Sequence, residues 1–208
     1  DTKREVQEIG FLKNEYYMLQ EDSINIPYAV MPTTAKSTGL VWSSSDSEIV
    51  NTEGNMLNST RKLGDAVITV TAPNGVNASF TVHVVSWEDF SSLQSIRFEE
   101  KKVSLKIGEY KKLNLCLEPE NVLMYSSFLF ASSDDSVVQV NDVGYITAVG
   151  EGKATIVALR QYDEVPIMAV CDIEVQGDTT PEPEKPMEMT FTAGNLQYRI
   201  TATGKTNT

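Results

Sequence analysis

Histidine is nearly missing from this sequence: His83 is the only one among 208 residues. Imidazole is what Ser–His triads, His-ligated zinc sites and most general bases draw on, so one copy nearly excludes all three. His83 sits in the alternating run Phe80-Thr81-Val82-His83-Val84. There Phe80, Val82 and Val84 share a face, which predicts that His83 points to solvent. Carboxylate-pair chemistry needs two acids held at a set separation, and scattered surface acids do not supply that. The chain is therefore expected to be no enzyme and to need no cofactor or metal.

Basic residues are also short: 17 Lys and Arg stand against 29 Asp and Glu, for a net charge of −12 spread along the chain. Such a surface repels phosphate backbones and anionic lipid, so nucleic acid is not an expected partner. No run of about 18 apolar residues exists, so no transmembrane helix or direct membrane insertion is expected. Asp1 to Glu8 is charged and unlike a signal peptide. An exported protein would have lost that segment, and a lipidated cysteine just before Asp1 would suit a surface lipoprotein. Amphipathic stretches of helical period are lacking as well. With 41% hydrophobic and 22% charged residues the chain is nonetheless an ordinary folded one.

What the sequence does have is a repeat. Displaced by 87 positions, Gln7-Glu8-Ile9-Gly10-Phe11 falls on Gln94-Ser95-Ile96-Arg97-Phe98. At the same offset Ile26, Tyr28, Val30 and Pro32 fall on Leu113, Leu115, Leu117 and Pro119. Trp42-Ser43-Ser44-Ser45-Asp46 meets Phe130-Ala131-Ser132-Ser133-Asp134 at 88, and Val82 and Val84 meet Ile173 and Val175 at 91. Drift of this kind is what loop insertions between fixed strands produce. Each half reads as about seven short strands of period two, bounded by turn residues. Ile24, Ile26, Tyr28 and Val30 are expected on one face of a single strand. Asn74-Gly75 between two alternating runs predicts a hairpin with a type I′ turn, and Gln161-Tyr162-Asp163-Glu164 is its polar counterpart in the second half.

The order of these pieces resembles the bacterial immunoglobulin-like domain, group 2. The second half carries Pro119, FASSDDSVV from Phe130, Gly144, GEGKATIVA from Gly150 and CDIEV from Cys171. The first half carries Pro32, WSSSDSEIV from Trp42, Gly54 and Gly64-Asp65-Ala66, with Phe80 where the second has Cys171. The expected fold is all-β: two tandem immunoglobulin-like sandwiches over residues 1–86 and 93–176, then a Pro/Glu linker over 177–187. Residues 188–208 read as the start of a third β module or a tail. The resemblance implies a surface-exposed structural or adhesion module of a bacterial cell surface, acting as a spacer that displays attached domains or as a binding module. The Pro/Glu linker and the β segment after it add the expectation of a covalently attached downstream domain.

Three local features bear on function. The Ser-Ser-Asp runs at Ser44 and Ser132 could suggest calcium, but converging ligands at a loop spacing are missing, and turn-shaping hydrogen bonds are the expected role. Cys116 has the parity of Asn114 and Glu118 and Cys171 that of Ile173 and Val175, so the two should face apart as free thiols. Between the halves, Trp87 and Phe90 are expected to bury and stiffen the joint; the competing reading is an exposed pair that stacks on sugar rings. A carbohydrate-binding module is thus the alternative function, with Tyr16, Tyr17, Tyr125 and Tyr162 as further aromatics for a sugar platform and a host glycan or matrix protein as partner.

Overall fold

The computed structural model describes residues 5–87, 89, 92–123, 128–160 and 166–177, and the backbone of 187–193 and 196–202. Every regular element among them is a β-strand. Residues 1–177 form one compact unit and 178–208 another.

The first half of the larger unit contains β1 (Glu8–Phe11), β2 (Glu15–Leu19), β3 (Ser23–Asn25), β4 (Tyr28–Met31), β5 (Val41–Ser44), β6 (Val50–Glu53), β7 (Met56–Ser59), β8 (Gly64–Thr71) and β9 (Asn77–Val85). They make a four-stranded sheet in the order β2-β9-β8-β5, a three-stranded sheet β3-β7-β6 and a pair β1-β4. The second half contains β10 (Ser95–Phe98), β11 (Lys102–Lys106), β12 (Tyr110–Lys112), β13 (Leu115–Glu118), β14 (Leu129–Ser132), β15 (Val138–Val140), β16 (Tyr145–Ala148), β17 (Gly152–Arg160) and β18 (Ile167–Gln176). Its sheets are β11-β18-β17-β14, β12-β16-β15 and β10-β13, the same arrangement nine strands later. Each half has its own buried cluster, and the second cluster also takes in Leu12 and Met31 of the first half.

The cores follow from the alternation. In β8 and β9 the inward residues Ala66, Ile68, Val70, Phe80, Val82 and Val84 are all buried, while their neighbours are not. Phe80 anchors the first core, edge-on to Phe11 at 4.6 Å and to Tyr16 at 5.0 Å between ring centres. Cys171 takes its place in the second core, opposite Ile156 as Phe80 is opposite Ile68. Both cysteines are free thiols, Cys171 buried and Cys116 half-buried, as their parities require. Burial, with Glu100 and Asp172 nearby, pushes the Cys171 thiol up to about 11.

Two local expectations are corrected. The single strand from Ile24 to Val30 is two: β3 pairs with β7, and after Ile26-Pro27 the chain changes sheets so that β4 pairs with β1. Proline has no N–H to continue the ladder with, and the Ile26 amide turns instead to the Asn55 carbonyl at 2.9 Å. The turn before β9 is also not type I′, because Gly75 has φ +89° and Asn74 is not among the residues of positive φ. Pro73 presets φ near −65°, so Ala72 to Gly75 close a three-residue loop, with the Gly75 amide donating to the Ala72 carbonyl at 2.9 Å.

In the smaller unit, β19 (Met187–Ala193) and β20 (Leu196–Ala202) form an antiparallel hairpin in register from Met187↔Ala202 to Ala193↔Leu196. Most of the Pro/Glu linker lies outside the described residues.

Candidate functional site: the joint between the two sandwiches

The burial of β1 breaks the alternation that rules elsewhere. Ile9, Gly10 and Phe11 are all buried, whereas β10, its repeat, alternates exposed and buried. Ile9 and Phe11 face the first core. The opposite face of β1 and β4 is covered by the second sandwich, whose core takes in Leu12 and Met31, with Ala29 packed against it. Burying each of the two larger side chains contributes ~1.5–3 kcal/mol.

Tyr145, on β16, reaches this face from the second sandwich. A Cβ on Gly10 would lie 2.1 Å from the Tyr145 ring, so only glycine admits the ring at this distance. The Tyr145 hydroxyl donates to Glu8 Oε1 at 2.6 Å. Lys112 is the register partner of Tyr145 across β12 and β16, and its Nζ lies 5.2 Å from the centre of the Tyr145 ring. Among the described residues that ammonium has no hydrogen-bond partner. Burial therefore pulls the Lys112 pKa down to about 8, with Glu8 opposing the shift. Burial and the bond to Glu8 hold the Tyr145 hydroxyl well above the usual tyrosine range.

A second contact lies at the edge of the first four-stranded sheet. Tyr17, on the edge strand β2, makes a parallel bridge with Leu123, and Lys13 Nζ donates to the Glu120 carbonyl at 3.2 Å. On the segment between the sandwiches, the Asn121 side-chain amide donates to the Asp89 carbonyl at 3.3 Å.

The residues singled out from sequence lie elsewhere. Trp87 is 71% exposed, so it does not bury in the joint; Phe90, Tyr125 and Tyr162 lie outside the described residues. Tyr16 is 1% exposed, a core residue with no face for a sugar. His83 does not project freely into solvent. It sits on one rung with Tyr17 and Asp65, its ring stacked on Tyr17 at 4.7 Å between centres and its Nδ1 2.7 Å from Asp65 Oδ1. The parity was right, but those neighbours leave the side chain only 21% exposed.

The Ser-Ser-Asp runs shape turns, twice over. Ser45 Oγ accepts from the Val67 amide at 2.9 Å and Ser133 Oγ from the Thr155 amide at 2.8 Å. Asp46 Oδ1 accepts from the Glu48 amide at 2.9 Å and Asp134 Oδ1 from the Ser136 amide at 3.0 Å. The Glu48 amide, then the Lys62 ammonium, holds the Asp46 carboxyl below the usual range, and the Ser136 hydroxyl and amide do so for Asp134.

The joint itself was missed, although the repeat contains its signal. Gly10, Leu12, Ala29 and Met31 correspond at offset 87 to Arg97, Glu99, Cys116 and Glu118. Outward positions that are small or apolar in one copy and mostly charged in the other mark a face with a partner in the first copy alone.

Among known proteins, the Bacterial Ig-like domain (group 2) family matches residues 92–165. An uncharacterized protein of Clostridium acetobutylicum is 28% identical over 150 residues, which is 72% of this chain and 15% of that protein. The chain thus spans a small part of the length of the curated relative it matches. Among solved structures, domains 4 and 5 of the S-layer protein SbsC are 16% identical with a TM-score of 0.32, covering 82% of this chain and 98% of that one. Drosophila N-cadherin EC1-4 is 12% identical with a TM-score of 0.34, covering 84% of this chain and 50% of that one.

Proposed function

Taking the second sandwich as what the family match makes it, a bacterial Ig-like domain of group 2, we propose that the chain is a non-catalytic surface module of two tandem domains, residues 1–86 and 93–176, that spaces or displays attached domains. The observation that carries this reading is the shared core: Leu12 and Met31 of the first sandwich are buried in the hydrophobic cluster of the second. A spacer needs a fixed joint, and a joint made of core side chains resists bending in a way that a loose peptide link does not. The downstream partner would follow the linker at 177–187, with 188–208 as the start of a further β module. Export to a bacterial cell surface, with a lipid anchor, is part of the same proposal.

The test has two arms. Backbone ¹⁵N relaxation on residues 1–177 of the intact chain is expected to give one rotational correlation time for both sandwiches; two separate times would refute the fixed joint. A screen against glycans and extracellular-matrix proteins is expected to be blank. A saturable hit abolished by Trp87→Ser would instead support the second reading, a carbohydrate-binding module, which the 71% exposure of Trp87 favours.

A further inference from the structure

In each sandwich the first and last strands of the four-stranded sheet lie side by side and run parallel. Strand β2 pairs with β9 from Glu15↔Thr81 to Leu19↔Val85, and the Thr81 amide extends the ladder to the Asn14 carbonyl at 2.9 Å. Strand β11 pairs with β18 from Lys102↔Asp172 to Lys106↔Gln176, and the Asp172 amide extends it to the Lys101 carbonyl at 3.0 Å. Among the described residues, the other strand pairings of the two sandwiches are antiparallel, apart from a Tyr17–Leu123 bridge.

The direction of these two ladders decides how they respond to tension. The chain comes into β2 at its Glu15 end and leaves β9 at its Val85 end. Because the strands are parallel, those ends lie at opposite ends of the ladder. A pull along the backbone therefore drives the strands past one another. The hydrogen bonds run across the strands at even spacing, so the pull loads them together, in shear. Had the two strands been antiparallel, both chain ends would leave from one end and the rungs would open singly. Sliding would also drag buried side chains through a packed core: Tyr16, Met18, Val82 and Val84 in the first sandwich, and Val103, Leu105, Ile173 and Val175 in the second.

We propose that each sandwich is a shear clamp and that the chain bears tension applied through its backbone, two clamps in series. The proposal rests on the spacer reading above and adds to it the load that the spacer carries.

Single-molecule force spectroscopy on the whole chain tests it by direction of pull. Held at its two ends, the chain is expected to give two high-force events. Each should release about 230 Å of contour, the extended length of some 70 residues less the short ladder. A second measurement attaches the handle at the exposed start of β9, on Asn77, in place of the C-terminus. Both points of attachment then lie at one end of the β2–β9 ladder, which opens rung by rung. The rupture force of the first sandwich should fall by about half or more, since forced rupture reads the barrier along the path that is pulled. Moving a handle leaves the fold unchanged, so loss of folding cannot mimic the result. Equal forces in the two geometries, or end-to-end extension without distinct events, would overturn the clamp. Neither result touches the spacer reading, which fails only if the sandwiches tumble separately or bind a ligand saturably.

Discussion

Lys112 carries the sharpest prediction. Its ammonium is held against the Tyr145 ring without a hydrogen-bond partner among the described residues, and burial pulls its pKa from 10.5 to about 8. The unfolded chain keeps the ordinary lysine value, so between pH 8 and 10.5 it binds more proton than the folded chain, and stability rises with pH across that window. At about 1.36 kcal/mol per pH unit the full effect comes to a little over ~3 kcal/mol, and the half-buried position trims the expected size to ~1–3 kcal/mol. Lys112→Met keeps the packed stem and removes the charge. At pH 7 the variant should therefore be more stable than the parent by that amount, and by pH 10.5 the difference should close. Urea unfolding of both proteins at several pH values reads this directly. Cys171 and the buried tyrosines, whose raised pKa values cost stability in alkali, are common to both proteins and cancel in the difference. A gap that stays constant from pH 7 to 10.5, or a variant less stable at pH 7, would refute the view of Lys112 as a charge held in the joint at a cost.

Gly10→Val should push the Tyr145 ring out of the joint and destabilise the chain by ~1–3 kcal/mol; ¹⁵N relaxation should then show two correlation times, and a single unchanged time would contradict the geometry. Cys116 should react with a maleimide in the folded protein while Cys171 reacts only as the chain unfolds, and equal rates for the two thiols would be the contrary result. Ser133→Ala strips the acceptor from the Thr155 amide and should cost ~0.5–1.5 kcal/mol, with Ser45→Ala costing a similar amount in the first sandwich; a loss in only one of them would break the equivalence of the two turns.

How much of this was readable beforehand depends on what each signal is made of. Strand alternation reports which side of a sheet is dry, so the two cores, the opposed parities of Cys116 and Cys171 and the outer-face position of His83 were all legible. The change of sheet at Ile26-Pro27 was not, because the apolar alternation runs through it uninterrupted; what changes there is the hydrogen-bonding partner. The loop before β9 was misread because Asn-Gly was weighed without Pro73, which fixes the backbone one step earlier. The joint escaped for a different reason. Trp87 and Phe90 drew attention as aromatics between the halves, yet the joint is built by Gly10, a residue with no side chain, and by Tyr145, far along the sequence. Comparing the two copies position by position, rather than matching them, is what finds it.

The parallel ladders also govern how the chain comes together. Glu15 cannot pair until Thr81, 66 positions later, has been made, and Lys102 waits for Asp172. Contacts so distant in sequence pay their loop-closure entropy before they return anything, which slows folding. The joint is more distant still, since Tyr145 reaches Glu8 across 137 positions. On a ribosome the first sandwich can close once residue 85 has emerged, but Leu12 and Met31 then face water until the second sandwich forms. For that interval the nascent chain presents an apolar face that its finished form hides, and it is the stage at which misassembly with another chain would begin.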